Sequence, residues 1–77
     1  MKDKVIKILN EIRPEFDFSE PVENFNEAGM LDSFDIVVLV STLDEEFGIS
    51  IDGIDILPEN FSTLSSIIDL LKKYGIK

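Results

Sequence analysis

Residues 29–34 read Gly-Met-Leu-Asp-Ser-Phe and open directly onto DIVVLVSTLDEEF, a run with helical spacing that ends at Phe47. A serine hydroxyl at the start of a helix can attack an electrophile, cap the helix, or anchor an attached group. Attack requires a base within hydrogen-bond reach, commonly histidine. The chain has no histidine and no cysteine, and every lysine lies near a terminus, so a nucleophilic enzyme is not expected. The same composition removes zinc-type sites and leaves only hard oxygen ligands for a metal. The acidic stretch DEEFGISIDGID does not supply the calcium-loop pattern of glycine at the sixth position and glutamate at the twelfth. No metal site is expected. Capping is the commonest use of such a serine, and Ser33 is read as the N-cap of the helix that follows. Attachment is compatible with that position. Free N–H groups and the helix dipole favour an anion there, including a phosphodiester on the serine oxygen.

The elements that position this serine follow from periodicity and punctuation. Val5, Ile8, Leu9 and Ile12 form one apolar stripe, so a first helix is predicted over 4–13, capped by Asp3 and closed by Pro14. Residues 14–32 show no sustained period. A connection of that length is uncommon in a small domain unless it is ordered or functional, and its scattered Phe16, Phe18, Val22, Phe25, Met30 and Leu31 suggest a loop pinned to the core. A second helix is predicted over 33–47, with Gly48 as its left-handed C-cap. The last helix is predicted from Ser62 or Thr63 to Tyr74, with the stripe Leu64, Ile67, Ile68 and Leu71, lysines in its final turn and Gly75 beyond. Between these helices, GISIDGIDIL carries a hairpin signal, alternating isoleucines around Asp-Gly. Arms of about three residues are marginal as an isolated ribbon. A loop with a short helical turn burying Ile51, Ile54 and Leu57 is the preferred reading.

At 77 residues the chain is expected to form one domain over 1–77. The fold class is all-α, a small four-helix bundle whose third helix is short. Without disulfide or zinc staples, helix packing must supply its stability. No segment approaches the roughly 18 apolar residues of a membrane span, and no secretory signal profile opens the chain, so a cytoplasmic protein is expected.

The net charge is −9, and between Pro14 and Leu71 the chain has 14 carboxylates and no Lys or Arg. Such a surface repels nucleic acid. It is suited to solubility in general and to steering basic partners in particular. On a wheel, the second helix shows two apolar faces. Ile36, Leu39, Val40, Leu43 and Phe47 form the core side, while Phe34, Val37, Val38 and Ser41 lie opposite, edged by Asp44, Glu45 and Glu46. The outer face fits a covering loop, a homodimer seam or a docking site for other proteins. In the last case, partners would visit briefly, because the gross gain from three such side chains is mostly cancelled by the cost of association.

GMLDSF followed by DIVVLVSTLDEEFGI resembles the attachment site and recognition helix of the acyl carrier protein family, which includes peptidyl and D-alanyl carriers. The resemblance extends over the whole chain, through helix order, loop length and the closing helix after ENFST. It implies that Ser33 carries 4′-phosphopantetheine through a phosphodiester, and that Asp32 assists the phosphopantetheinyl transferase by contacting its metal ion. It further implies a freestanding, monomeric, non-enzymatic carrier of an acyl or aminoacyl thioester. Phe34, Asp35, Val37, Val38, Ser41, Asp44 and Glu45 would form the surface read by loading and transfer enzymes with basic or apolar patches. An acyl chain would lie between helices near Ile36, Leu39, Leu43 or Ile54. The chain departs from the fatty-acid pattern in two places. Its Gly29-Met30-Leu31-Asp32-Ser33 is one residue longer than Gly-Ala-Asp-Ser, and Val38 stands where glutamate is usual. Both point toward peptidyl, D-alanyl or dedicated-pathway carriers. The alternative is an unmodified acidic adaptor that binds proteins through the second helix.

Overall fold

A computed structural model describes residues 2–20 and 22–76. The first helix, α1, spans Lys2–Ile12 and buries Val5, Ile8 and Leu9 on one face. It starts two residues before the predicted boundary, so Asp3 lies within the first turn and is not the cap. Past its end, the Arg13 N–H still bonds to Leu9 O at 3.0 Å, and Pro14 stops the ladder.

The connection from Pro14 to Asp32 is irregular but tied down. Asn10 on α1 accepts the Phe18 N–H at 3.1 Å, and Phe25 donates its N–H to Ser62 O, far along the chain. Phe18 and Phe25 are almost fully buried and meet edge to face, centroids 5.1 Å apart. Each contributes about 1.5–3 kcal/mol of burial, which offsets the entropy of ordering the segment around it. Gly29 takes φ +75°, a left-handed conformation that favours glycine. The chain then reverses, and the N–H groups of Met30 and Leu31 both bond Phe25 O as their side chains enter the core.

Helix α2 covers Ser33–Phe47 with Gly48 at φ +64° as its C-cap, as predicted. Its buried side is Ile36, Leu39, Val40 and Leu43. At its far end Lys4 of α1 pairs with Glu46 at 3.3 Å and sits over the Phe47 ring.

The segment after α2 forms neither the hairpin nor a full fourth helix. It makes two 3₁₀ turns, Gly53–Asp55 and Pro58–Phe61. Asp52 caps the first by accepting the Ile54 N–H, and Pro58 starts the second. Ile51 and Phe61 are buried, but Ile54 is 77% exposed and Leu57 is exposed as well, against the prediction that both face inward. One 3₁₀ turn presents too narrow a face to bury all three of Ile51, Ile54 and Leu57. Helix α3 then runs Leu64–Lys73. Thr63 is its cap, and Leu70 joins Ile67 and Leu71 in the core while Ile68 is only half-buried.

The architecture is therefore three α-helices and two 3₁₀ turns, with no strand among the described residues. The all-α expectation holds. In place of the short third helix of the predicted bundle stand the two 3₁₀ turns, and the predicted last helix is α3. No helix among the described residues is long and apolar enough to cross a membrane.

Candidate functional site

The N-terminus of α2 is built by Asp32, not by Ser33. Asp32 is extended (φ −112°, ψ −177°), and its Oδ1 accepts the Asp35 N–H at 2.9 Å. Asp35 Oδ2 in turn accepts the Asp32 N–H at 3.1 Å, which completes a reciprocal capping box. The expectation that Ser33 caps the helix is thus corrected. An aspartate one residue earlier, with a second acid three residues on, satisfies both orphan N–H groups. Ser33 becomes the first residue inside the helix, with its side chain exposed and outside the cap.

A cation braces this box from α1. Arg13 donates from Nε to Asp35 Oδ2 at 2.7 Å, and its Nη2 lies 2.7 Å from the same oxygen. Nη2 also approaches Asp32 Oδ2 at 3.4 Å, and Nη1 binds Glu15 at 3.0 Å. Asp35 is 7% exposed. Burial pushes its carboxyl up, but bonds from Arg13 and from the Asp32 backbone outweigh that and hold it below the usual carboxylate range. Arg13 is raised above its ordinary value, chiefly by its bond to Asp35. Asp35 was predicted to belong to the outward docking surface. It belongs instead to the interior of the cap, because the guanidinium from α1 meets it there.

The other predicted residues divide. Phe34 (74% exposed), Val37, Val38, Ser41 and Glu45 all lie on the open side of α2. Asp44 is half-buried, with Oδ1 accepting the Ile51 N–H at 2.9 Å, so it closes the turn after α2. Leu39 and Leu43 have no exposed surface. Ile36 lines both of two open recesses beside Ser33. One, of about 220 Å³, is walled by Ser33, Ile36, Val37, Ile56 and Pro58 and is mostly apolar. The other, of about 350 Å³, runs past Arg13, Asn26, Gly29 and Asp32. Asn26 ties their shared wall by donating to Pro58 O at 2.9 Å.

This is an exposed serine at a helix end, flanked by two open, mostly apolar recesses, one of which is also lined by Arg13, Asn26 and Asp32. Residues 3–71 match the phosphopantetheine attachment site family. The protein belongs to that family. No curated protein and no solved structure gives a significant match. Membership establishes 4′-phosphopantetheine as the cofactor and a carrier role served by transferases and biosynthetic enzymes, in agreement with the resemblance drawn from the sequence. The residues present fit such a group. An exposed primary alcohol can take a phosphodiester, and the open recesses on either side leave room for an arm.

Sequence reasoning missed Arg13, which entered only as the residue before Pro14. Its partners are 19 and 22 residues away in the chain, and nothing local announces them. The cap itself was findable, since Asp32-x-x-Asp35 has capping-box spacing.

Proposed function

We propose that the protein, acting as one domain over its 77 residues, carries an acyl or aminoacyl group on a phosphopantetheine arm attached to Ser33 Oγ. The observation that carries this reading is the exposed Ser33 hydroxyl, standing outside the Asp32–Asp35 capping box at the positive end of α2. When bound, the arm supplies the thiol that holds the cargo as a thioester. A chain without cysteine offers that thiol no internal disulfide partner. Asp32 keeps Oδ1 in the cap while its side chain stays 62% exposed, which suits contact with a metal ion in the transferase.

The protein itself then performs no catalysis. Phe34, Val37, Val38, Ser41 and Glu45 form the docking face, and Ile54 and Leu57 add apolar surface that sequence reading had assigned to the core. Its partners are loading and transfer enzymes with apolar patches rimmed by basic residues, which the acidic surface attracts. The working state is a cytoplasmic monomer. The longer Gly29–Ser33 motif and Val38 favour a peptidyl, D-alanyl or dedicated-pathway role over the fatty-acid type.

The test is co-expression with a broad-specificity phosphopantetheinyl transferase, followed by intact mass measurement. The wild type should gain the mass of one arm, and Ser33→Ala should gain none. Ser33 is not the cap, so the variant should stay within about 0.5 kcal/mol of wild-type stability, and its failure to be modified cannot be assigned to unfolding. A wild type that stays unmodified, or an alanine variant that is modified, overturns the reading. The exposed face of α2 would then remain as an adaptor surface.

A further inference from the structure

Among the described residues, Arg13 is the one basic side chain lining either recess beside Ser33, and it lies at the end of a different helix. Its reach is unusual for a surface arginine. It contacts Glu15 in its own loop, Asp32 at the cap and Asp35 in the first turn of α2. Asp35 Oδ2 receives the guanidinium on one side and the Asp32 N–H on the other. The guanidinium therefore bears on the Leu31–Asp32 peptide, one residue before Ser33, through a single intervening carboxylate. Lys4 and Lys73, by comparison, pair with Glu46 and Asp55 in contacts that line neither recess.

We propose that Arg13 is a positioning residue for modification of Ser33, acting through Asp35 to hold the Asp32–Ser33 backbone in the form that the transferase engages. The inference rests on Ser33 being the attachment point. In that reaction Ser33 Oγ gives its proton to a general base of the transferase and forms a bond to the β-phosphorus of coenzyme A. The pyrophosphate linkage breaks, and 3′,5′-adenosine bisphosphate leaves with the electron pair. Arg13 touches none of the reacting atoms. It limits the freedom of the turn that carries the nucleophile, and small displacements of a reacting group are costly to rate. An arginine suits the task because its planar guanidinium reaches three carboxylates at once, whereas a lysine ammonium is a single point charge.

The test is the steady-state rate of modification of the purified full chain by one transferase with coenzyme A, followed by mass. Arg13→Gln should lower kcat about tenfold with the KM for the carrier changed much less, because the outer face of α2 is intact. Arg13→Lys should recover part of that loss. Asp35→Asn breaks the same link, so the double variant should be no slower than the slower single variant. Circular dichroism at the assay temperature confirms that each variant is folded. An unchanged kcat in folded Arg13→Gln overturns the inference, as does a loss confined to KM, or additive losses in the double variant. In each of those cases the wild type is still modified at Ser33, so the carrier reading stands. A wild type that accepts no arm removes both.

Discussion

Two helices in this small protein begin with the same device and use it differently. Helix α3 opens on Thr63 and Ser66, whose hydroxyls satisfy each other's backbone N–H groups at 3.0 and 3.1 Å. Helix α2 opens on Asp32 and Asp35, which do the same with carboxylates at 2.9 and 3.1 Å. The α3 cap is neutral, and the residue after it is Leu64, which packs against the core. The α2 cap carries two negative charges, draws a guanidinium from another helix, and is followed by an exposed serine. Hydroxyls suffice to start a helix. The more elaborate version, a buried carboxylate with an arginine partner, occurs where the residue after the cap is the exposed Ser33.

The contrast can be broken experimentally, and the largest effect should come from its buried charge. Asp35→Ala removes half of the capping box and strips Arg13 of its closest partner. We expect a loss of about 2 kcal/mol, read as a lower urea midpoint at unchanged slope. A loss no greater than that for a neutral cap would show that the brace adds nothing to stability.

Acid should reproduce part of this effect in one cap only. Folding holds the Asp35 carboxyl below its ordinary value, so its contribution is fully present above about pH 4, the usual value for a free aspartate, and is lost as pH falls through the depressed value. Asp55 is also held low, by Lys73 and then Tyr74, as is Asp17 by Ser19, so global acid lability has several sources. A site-resolved readout separates them. In amide exchange between pH 5 and 2, after correction for intrinsic rates, protection at the Asp32 N–H, which Asp35 Oδ2 accepts, should fall while that at the Thr63 N–H, which Ser66 Oγ accepts, persists, since neither Thr63 nor Ser66 titrates. Parallel losses at both amides would mean that acid unfolds the whole chain and that the caps do not differ.

The smallest effect sharpens the comparison from the other side. Thr63→Ala should cost about 1 kcal/mol in thermal or urea unfolding. It should leave the rate of Ser33 modification unchanged at temperatures where the variant is folded. A slowed modification would mean that α3 supports the site as directly as Arg13 does.

Much of this was legible in the residues. The ends of α2 at Ser33 and Phe47, the left-handed Gly48 and the buried set Ile36, Leu39, Val40 and Leu43 all follow from spacing, because an amphipathic helix writes its own period into the chain. The open face of Phe34, Val37 and Val38 was legible for the same reason, and the pinned aromatics of the long loop from its length and its scattered apolar residues. Illegible were the burial of Asp35, which the family resemblance placed on the outward docking surface, and the exposure of Ile54 and Leu57, which their hydrophobicity placed in the core. Hydrophobicity says that a side chain gains from burial, but a 3₁₀ turn leaves no interior face wide enough to receive every one.

The sequence by itself determined the helices, the exposed serine at the head of one of them and the family motif, because each depends on residues within a few positions of one another. Only the tertiary structure decided that Arg13 braces the α2 cap, and that the segment after α2 folds as two turns. Those outcomes depend on where α1 ends in space relative to α2 and on how much core the other elements have already filled. A contact across 22 residues of chain has no periodicity to reveal it.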